Sequence, residues 1–267
     1  MKWSFIMLLP AAVSALWAAA TLFTKRRATR AQLLLSLMLL MVGFATAILM
    51  VFFRGTAGSL FIYDYIFELV SLFCAPLYFL GICALTEPRG TLRRQRRVFW
   101  LPLAFVIGLT VGADVLGPRR YEAMCHAVRE AGATFIAGDA AYNFMLFWDH
   151  MLYPVLMLAM SFVLLLVSNR KYALFCVRYN SFYADQIGRG PIHSREVNLA
   201  TWSFLPLGLA TVLIVDFHPQ GMKYWLIVVS LLLAAIQWFV GRAVYNMDYD
   251  SRYLSGLVRH KMETPKA

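Results

Sequence analysis

Residues 60–85 read LFIYDYIFELVSLFCAPLYFLGICAL, an apolar run that carries two carboxylates near its start. A mainly apolar stretch of about 18 residues or more is long enough to cross a hydrocarbon layer about 30 Å thick. This stretch therefore predicts a membrane-spanning helix, and with it the class of the fold. It also raises a question of function, because Asp64 and Glu68 stand one helical turn apart in a segment suited to lipid.

Similar apolar blocks fill most of the chain. The 267 residues are 61% hydrophobic and 15% charged, whereas a soluble domain holds about 45–50% apolar and about 25% charged residues. The sequence predicts an all-α bundle of seven transmembrane helices in one membrane domain, 1–245, followed by a short basic cytoplasmic tail, 246–267. The seven blocks of spanning length are 3–23, 31–53, 60–85, 98–116, 147–167, 199–217 and 224–245.

The basic residues predict an orientation for this bundle. The connectors after blocks one, three and five, together with the tail, carry 19 of the 25 Lys and Arg residues. Positive residues in short loops stay cytoplasmic, so we expect the N-terminus outside and the C-terminus inside. We expect block one to be retained, because it is longer than a signal-peptide core and KRR follows it. The net charge of +11 is thus a topology signal with membrane lipids as partners, and no direct nucleic-acid binding is expected.

Ionisable residues in the blocks gather at the ends predicted to face outward. With block three entering at Leu60, Asp64 lies about 6 Å deep and Glu68 about 12 Å deep, at about 1.5 Å rise per residue. Charged residues in membrane segments usually point into the bundle or into a water-filled cavity. We therefore predict an outward-facing acidic cup whose ligand-binding residues are Asp64, Glu68, Asp149, His150, Asp216 and His218.

These residues also have structural explanations. Asp64 lies in the first helical turn, where a negative charge favours the helix dipole, and the other aspartates suit an interface with water. Glu68 lies deeper, and a hydrogen bond from a tyrosine or serine across the bundle would satisfy it. His150 and His218 are metal-ligand types, but no motif fixes a ligand geometry. Neither a metal site nor a cofactor is therefore predicted.

Block three is also predicted to have a lipid-facing side and a hinge. Pro76 in block three and Pro206 in block six lie deep in their helices, where proline removes a backbone donor and opens the helix locally. We therefore predict hinges at both. The side of block three opposite the carboxylates is expected to face lipid through Ile66, Val70, Phe73, Leu77 and Leu80.

Other local patterns predict packing and connectors. Gly108 and Gly112 form a small-xxx-small face suited to close helix packing. In the outer connector, roughly 117–146, apolar residues at helical spacing predict a short amphipathic helix broken at glycines; they are Tyr121, Met124 and Val128. Block five is expected to continue as a helix beyond the membrane. The four cysteines form no CxxC pair or zinc spacing and are interpreted as small apolar fillers.

Signatures of common enzymes are missing from the sequence. It contains no HExxH, GxSxG, GxxxxGK or GxGxxG motif. The cytoplasmic segments are also too short to fold a catalytic domain. We therefore expect that the chain is not an enzyme.

Several stretches resemble one bacterial family. LVSLFCAPLYFLGICALTEP, RVFWLPLAF, RYNSFYADQIGRG and NLATWSFLPLGLATVLI resemble the multi-span N-terminal membrane half of membrane-anchored AraC-type transcriptional regulators. The resemblance implies a receptor or anchor in the bacterial cytoplasmic (inner) membrane, with a DNA-binding helix-turn-helix domain after the last span. Here only VYNMDYDSRYLSGLVRHKMETPKA follows block seven, so no helix-turn-helix domain is expected.

Together these patterns favour a sensory or regulatory membrane module. A small polar or cationic ligand would enter the acidic cup, and helices hinged at Pro76 and Pro206 would relay its presence inward. The signal would pass to a separate DNA-binding or other cytoplasmic output protein, or to a second copy in a homodimer. The alternatives are a small carrier or channel that uses the same cup as its entrance, and a scaffold. A carrier usually shows paired repeats and binding groups near the midplane, and the sequence shows neither.

Overall fold

The computed structural model describes residue 6 and residues 8–24, 28–54, 60–87, 94–131, 134–183 and 223–246, and every regular element in them is helical. The predicted all-α fold is therefore confirmed for these residues. In chain order the elements are α1 (Leu9–Ala19), a π-helical turn (Ala20–Thr24), α2 (Arg30–Arg54), α3 (Leu60–Thr86), a 3₁₀ turn (Arg96–Phe99), α4 (Trp100–Leu116), α5 (Pro118–Ala131), α6 (Ala140–Leu146), a second π-helical turn (Phe147–Leu152), α7 (Tyr153–Tyr183) and α8 (Lys223–Tyr245).

Five helical segments in the described ranges are long and apolar enough to cross a membrane. They correspond to predicted blocks two, three, four, five and seven: Arg30–Ile48, Tyr65–Thr86, Arg96–Leu116, Ala140–Phe175 and Ile227–Tyr245. Block one contributes a shorter apolar helix, Leu9–Thr24. Block six, 199–217, lies outside the described residues.

Helix α3 lies at the centre of the described bundle. In its most apolar stretch 72% of the residues are buried, against 22–50% in the other four spanning segments. It packs against α2, α4, α5 and α7. The prediction of a lipid-facing side on α3 is therefore wrong for three of its five residues, while Ile66 and Phe73 are half-buried. Val70, Leu77 and Leu80 are only 4–6% exposed, because neighbouring helices cover that side as well.

The side chains that suit lipid lie instead on outer helices. One stripe of α4 repeats every three or four residues and is 41–72% exposed: Trp100, Leu103, Ile107, Val111 and Val115. The opposite face of α4 carries Phe105 and Leu109, which are buried in the core. This division is the one expected of a helix that has protein on one side and lipid on the other.

The apolar core forms two layers along the bundle. One layer contains Ile82 and lies at the end that carries Arg30 and Arg242, which we call the basic end. The other layer contains Phe67 and Tyr121 and lies where α5 packs across the helices, which we call the α5 end. The candidate site described below belongs to the α5 end.

Polar contacts join four helices at the basic end. The side-chain amide of Gln32 in α2 donates to the carbonyls of Val244 and Tyr245 in α8, at 3.2 and 3.3 Å. Lys171 in α7 forms an ion pair with Glu87, which follows α3. Because Gln32 is 1% exposed, its hydrogen bonds fix α8 against α2 without competition from water.

Helices α1 and α8 lie side by side through a glycine. A Cβ atom built on Gly241 would lie 2.2 Å from Cγ of Trp17, so only glycine allows this approach. The ring of Trp17 also meets Trp238 edge to face, with centroids 5.1 Å apart. The first and last described helices are therefore direct neighbours.

One predicted hinge falls in the described residues. Pro76 is buried, and α3 continues through it as one helix from Leu60 to Thr86. The other predicted hinge, Pro206, lies outside the described residues. The structure therefore places Pro76 inside one continuous helix.

The predicted amphipathic helix in the outer connector is confirmed as α5. Its apolar stripe packs inward, with Tyr121 and Met124 fully buried and Val128 half-buried. The connector is shorter than predicted, because the next helix begins at Ala140. Asp139 caps that helix by accepting a 3.1 Å hydrogen bond from the backbone N–H of Tyr142.

Candidate functional site

The candidate site begins with a wide helical turn at the start of α7. In the π-helical turn Phe147–Leu152 the backbone N–H of Tyr153 donates to the carbonyl of Trp148, five residues earlier. The next residue, Pro154, has no N–H and cannot serve the carbonyl of His150 in an α-helical pattern. Single π-helical turns inside α-helices occur frequently at functional sites. This one carries Asp149 and His150, two of the six residues predicted to bind a ligand.

Asp149 is buried with one oxygen bonded and the other available. It is 1% exposed, and its Oδ2 accepts a hydrogen bond from the hydroxyl of Tyr121, which is fully buried in α5. Its Oδ1 has no hydrogen-bond partner among the described residues. Nor does any described Lys or Arg form an ion pair with it. Oδ1 is therefore an acceptor that a ligand could use.

His150 and Cys125 lie beside this carboxylate. Nε2 of His150 is 3.8 Å from Oδ2 of Asp149 and has no hydrogen-bond partner within the described ranges. Cys125 is 7% exposed and stands one turn after Tyr121 on α5. One ligand atom from each of Cys125, Asp149 and His150 lies within 4.8 Å of the other two. A thiol, a carboxylate and an imidazole thus converge between α5 and α7.

Glu68 is a separate buried carboxylate in α3. It is 2% exposed, and it is not a member of the group around Cys125. Its backbone carbonyl accepts a 3.0 Å hydrogen bond from the hydroxyl of Ser71, which also lies 2.6 Å from the hydroxyl of Tyr153 in α7. Neither contact involves the Glu68 carboxyl group, so the hydrogen bond expected there stays a prediction. The Ser71–Tyr153 contact joins α3 to the helix that carries the site.

The remaining predicted ligand-binding residues are not brought to this group in the described part of the chain. Asp64 is the fifth residue of α3, and its side chain lies outside the described part of the chain. Asp216 and His218 are in a segment that the structure does not describe. The two predicted carboxylates with described side chains, Glu68 and Asp149, are both buried.

Close packing on α4 fixes the residue before Asp149. A Cβ atom on Gly108 would lie 2.4 Å from Cζ2 of Trp148, and one on Gly112 would lie 2.2 Å from Sδ of Met145. The predicted small-residue face is therefore confirmed as a close contact. The indole N–H of Trp148 also donates to the carbonyl of Phe105 at 3.2 Å. The π-helical turn is thus held against α4 next to the site.

The connector between α5 and α6 fixes the other half of the site. Arg120 forms an ion pair with Asp139 across this connector. The side-chain amide of Asn143 bonds both the N–H and the carbonyl of Ile136, at 2.8 and 2.7 Å. Gly138 takes a φ of 85°, a conformation that glycine adopts without strain. These contacts hold α5 over the start of α7, so Tyr121 and Asp149 face each other.

Two members of the site were not predicted from the sequence. Tyr121 was expected only as part of an apolar stripe, and Cys125 only as an apolar filler. Their spacing could have indicated that they act together, because residues four apart lie on one helix face. That face was predicted to be the apolar side of an amphipathic helix, but no pattern indicated that Asp149 would meet it.

Comparison with protein-family models, with curated proteins and with solved structures finds no match to this chain. No relative therefore suggests an activity, a ligand or a partner. The inference of function depends on the site itself and on the sequence patterns.

Proposed function

We propose that this chain is a sensory or regulatory module of the bacterial inner membrane that binds a small cationic ligand at Asp149. The observation that carries the proposal is the burial of Asp149 with a free Oδ1 and no described Lys or Arg beside it. A buried charge without a cationic partner is strongly destabilising, and ionisable residues in membrane helices are usually functional. A bound cation would supply the missing partner.

The position of the site suits a sensor. It joins α5, a connector helix, to α7, a spanning helix of 31 residues. At about 1.5 Å per residue α7 is about 45 Å long, which exceeds the hydrocarbon thickness of about 30 Å. A ligand that draws α5 and α7 together at one end therefore acts on a helix that reaches past the other end of the bundle.

The proposal includes a topology of seven spans with the N-terminus outside and the C-terminus in the cytoplasm. Six of the seven predicted blocks correspond to apolar helices, one of them short, and the distribution of Lys and Arg supports the orientation. Reporter fusions after Arg97 and at the C-terminus should behave as cytoplasmic, and a fusion near Gly132 as external. Reversal at two of these positions would overturn the orientation.

The proposal also includes a separate output. The resemblance to the membrane half of AraC-type regulators favours a cytoplasmic DNA-binding or other output protein, or a second copy of this chain, as the partner. No catalytic role is proposed for the described residues. Crosslinking in native membranes, with and without added cation, should capture a specific partner at the cytoplasmic surface.

Cation binding is tested by thermal unfolding of the purified full chain in lipid nanodiscs. We expect that at least one of three probes, Zn²⁺, Ca²⁺ or choline, raises the unfolding temperature of the wild type, because a ligand that binds only the folded state stabilises it. Asp149→Asn should lose that shift. Asp114→Asn, which changes an exposed acid of α4 at the same end of the bundle, should keep it. Equal shifts in all three proteins, or no shift in the wild type, would overturn the proposal. Flux of the probe through the protein in liposomes would support the carrier instead.

A further inference from the structure

We propose that the ligand of this site is a late first-row divalent metal ion, with Zn²⁺ as the type, bound by Cys125, Asp149 and His150. The inference rests on the proposed function and deepens it by naming the class of cation. It starts from the convergence of the three ligand atoms within 4.8 Å of one another. It is independent of the resemblance to regulators.

The distances approach those of a tetrahedral metal site. Zinc lies about 2.3 Å from sulfur and about 2.0–2.1 Å from imidazole nitrogen, so its ligand atoms are about 3.3–3.8 Å apart. Nε2 of His150 and Oδ2 of Asp149 are 3.8 Å apart and would need to close by about 0.5 Å, because a nitrogen–oxygen pair on zinc lies at the short end of that range. The other separations, within 4.8 Å, need to close by about 1.5 Å at most, which side-chain rotations provide.

The ligand atoms select the class of ion. Calcium and magnesium prefer oxygen ligands, whereas a thiolate with an imidazole favours zinc and its neighbours in the series. Nε2 of His150 lacks a hydrogen-bond partner in the described part of the chain. A carboxylate oxygen has two lone pairs, so Oδ2 of Asp149 can bind a metal while it accepts from Tyr121. Three protein ligands leave a fourth position for water or for an exchanging ligand.

The neighbouring residues suit a metal site as well. The hydroxyl of Tyr121 holds Oδ2 of Asp149, and hydrogen bonds of this kind orient the carboxylates that bind metals. Cys125 belongs to α5, whereas Asp149 and His150 precede α7, so the ion would bridge two elements. Metal binding would therefore fix the distance between the connector helix and the spanning helix.

The test uses the full chain in nanodiscs, with Zn²⁺ for stoichiometry and Co²⁺ as a spectroscopic probe. We expect one Zn²⁺ per chain, and a thiolate-to-Co²⁺ charge-transfer band that Zn²⁺ removes. Cys125→Ser should abolish the band, and Asp149→Asn and His150→Gln should each weaken binding. Tyr121→Phe should weaken it by about tenfold.

Matched variants control for effects on folding and for other ligands. Cys74→Ser, in α3, and His126→Gln, on the exposed side of α5, should bind as the wild type does. A Co²⁺ spectrum without a thiolate band would overturn the metal proposal without any variant having to fold. Zn²⁺ binding that survives both Cys125→Ser and His150→Gln would also overturn it.

The result for the other probes separates this inference from the proposed function. If choline or Ca²⁺ stabilises the protein through Asp149 and Cys125→Ser leaves that effect unchanged, the metal proposal fails and the proposed function stands. If no probe binds, both fail.

Discussion

Tyr121→Phe tests the hydrogen bond on which the site is built. The change removes one hydroxyl and keeps the ring, so the apolar packing of α5 remains. The lost partner is Oδ2 of Asp149, and both residues are at most 1% exposed. Water therefore cannot replace the missing donor, and the variant should be less stable than the wild type.

Two measured ranges bound the size of the effect. A hydrogen bond to a charged group contributes about 1.5–3 kcal/mol in soluble proteins. Hydrogen bonds between transmembrane helices average about 0.6 kcal/mol and reach about 1.7 kcal/mol, because the denatured chain in the membrane finds other partners. Tyr121 belongs to a polar connector helix that unfolds into water, so the first range applies to it. We expect a loss of about 2 kcal/mol.

The measurement is reversible unfolding in mixed micelles, arranged as a double-mutant cycle with Asp149→Ala. The cycle isolates the pairwise interaction from other consequences of each change. Tyr142→Phe is the matched control. Tyr142 is also buried at the α5 end, and its hydroxyl has no hydrogen bond to a described residue, so the change removes none there. A coupling energy below about 0.5 kcal/mol, or an equal loss in the control, would refute the reasoning.

Three further predictions, which use four variants, concern the contacts around the site and at the basic end. Gly108→Ala should lower stability by about 1–3 kcal/mol, because the added carbon meets Trp148 at 2.4 Å; an unchanged unfolding midpoint would contradict that contact. Asp139→Ala should lower stability by about 1 kcal/mol more than Arg120→Ala, because it also removes a helix cap. Their ion pair contributes little, since the arginine is 58% exposed, and equal losses of stability would argue against the cap. Gln32→Leu should cost about 1–2 kcal/mol and speed amide hydrogen exchange at the end of α8, and unchanged exchange there would show that its hydrogen bonds do not hold the helix.

The helices could be predicted from sequence because hydrophobic length decides them. Blocks such as 60–85 and 224–245 match α3 and α8 within one residue at each end, since lipid-length apolar runs have few alternatives. The amphipathic helix α5 was also predicted, because its apolar residues recur at helical spacing. These features depend on local sequence alone.

The lipid-facing side of α3 was predicted wrongly for a physical reason. A helix that is apolar on all sides is equally suited to lipid and to a protein interior. Val70 and Leu77 therefore carry no mark that separates these environments, and only the packing of α2, α4, α5 and α7 around them does so. The polar composition of α5 gave no such ambiguity.

The candidate site was predicted in part. Asp149 and His150 were selected because ionisable residues at block ends are unusual. Their partners on α5 were missed, because the meeting of Cys125 with Asp149 depends on a connector that folds back over the bundle. The π-helical turn that carries Asp149 was also missed, because the spacing of apolar residues does not distinguish a single π-helical turn from an α-helical one.

The contact between Trp17 and Gly241 has a consequence for biosynthesis. Ribosomes add about 5–20 residues per second, so the chain between these positions takes roughly 11–45 seconds to make. During that interval α1 is in the membrane with α2 beside it, but without α8. The ring of Trp17 then meets lipid or the insertion machinery instead of Gly241, its final neighbour. The bundle closes only when α8 arrives, so the first helix is among the last to reach its native surroundings.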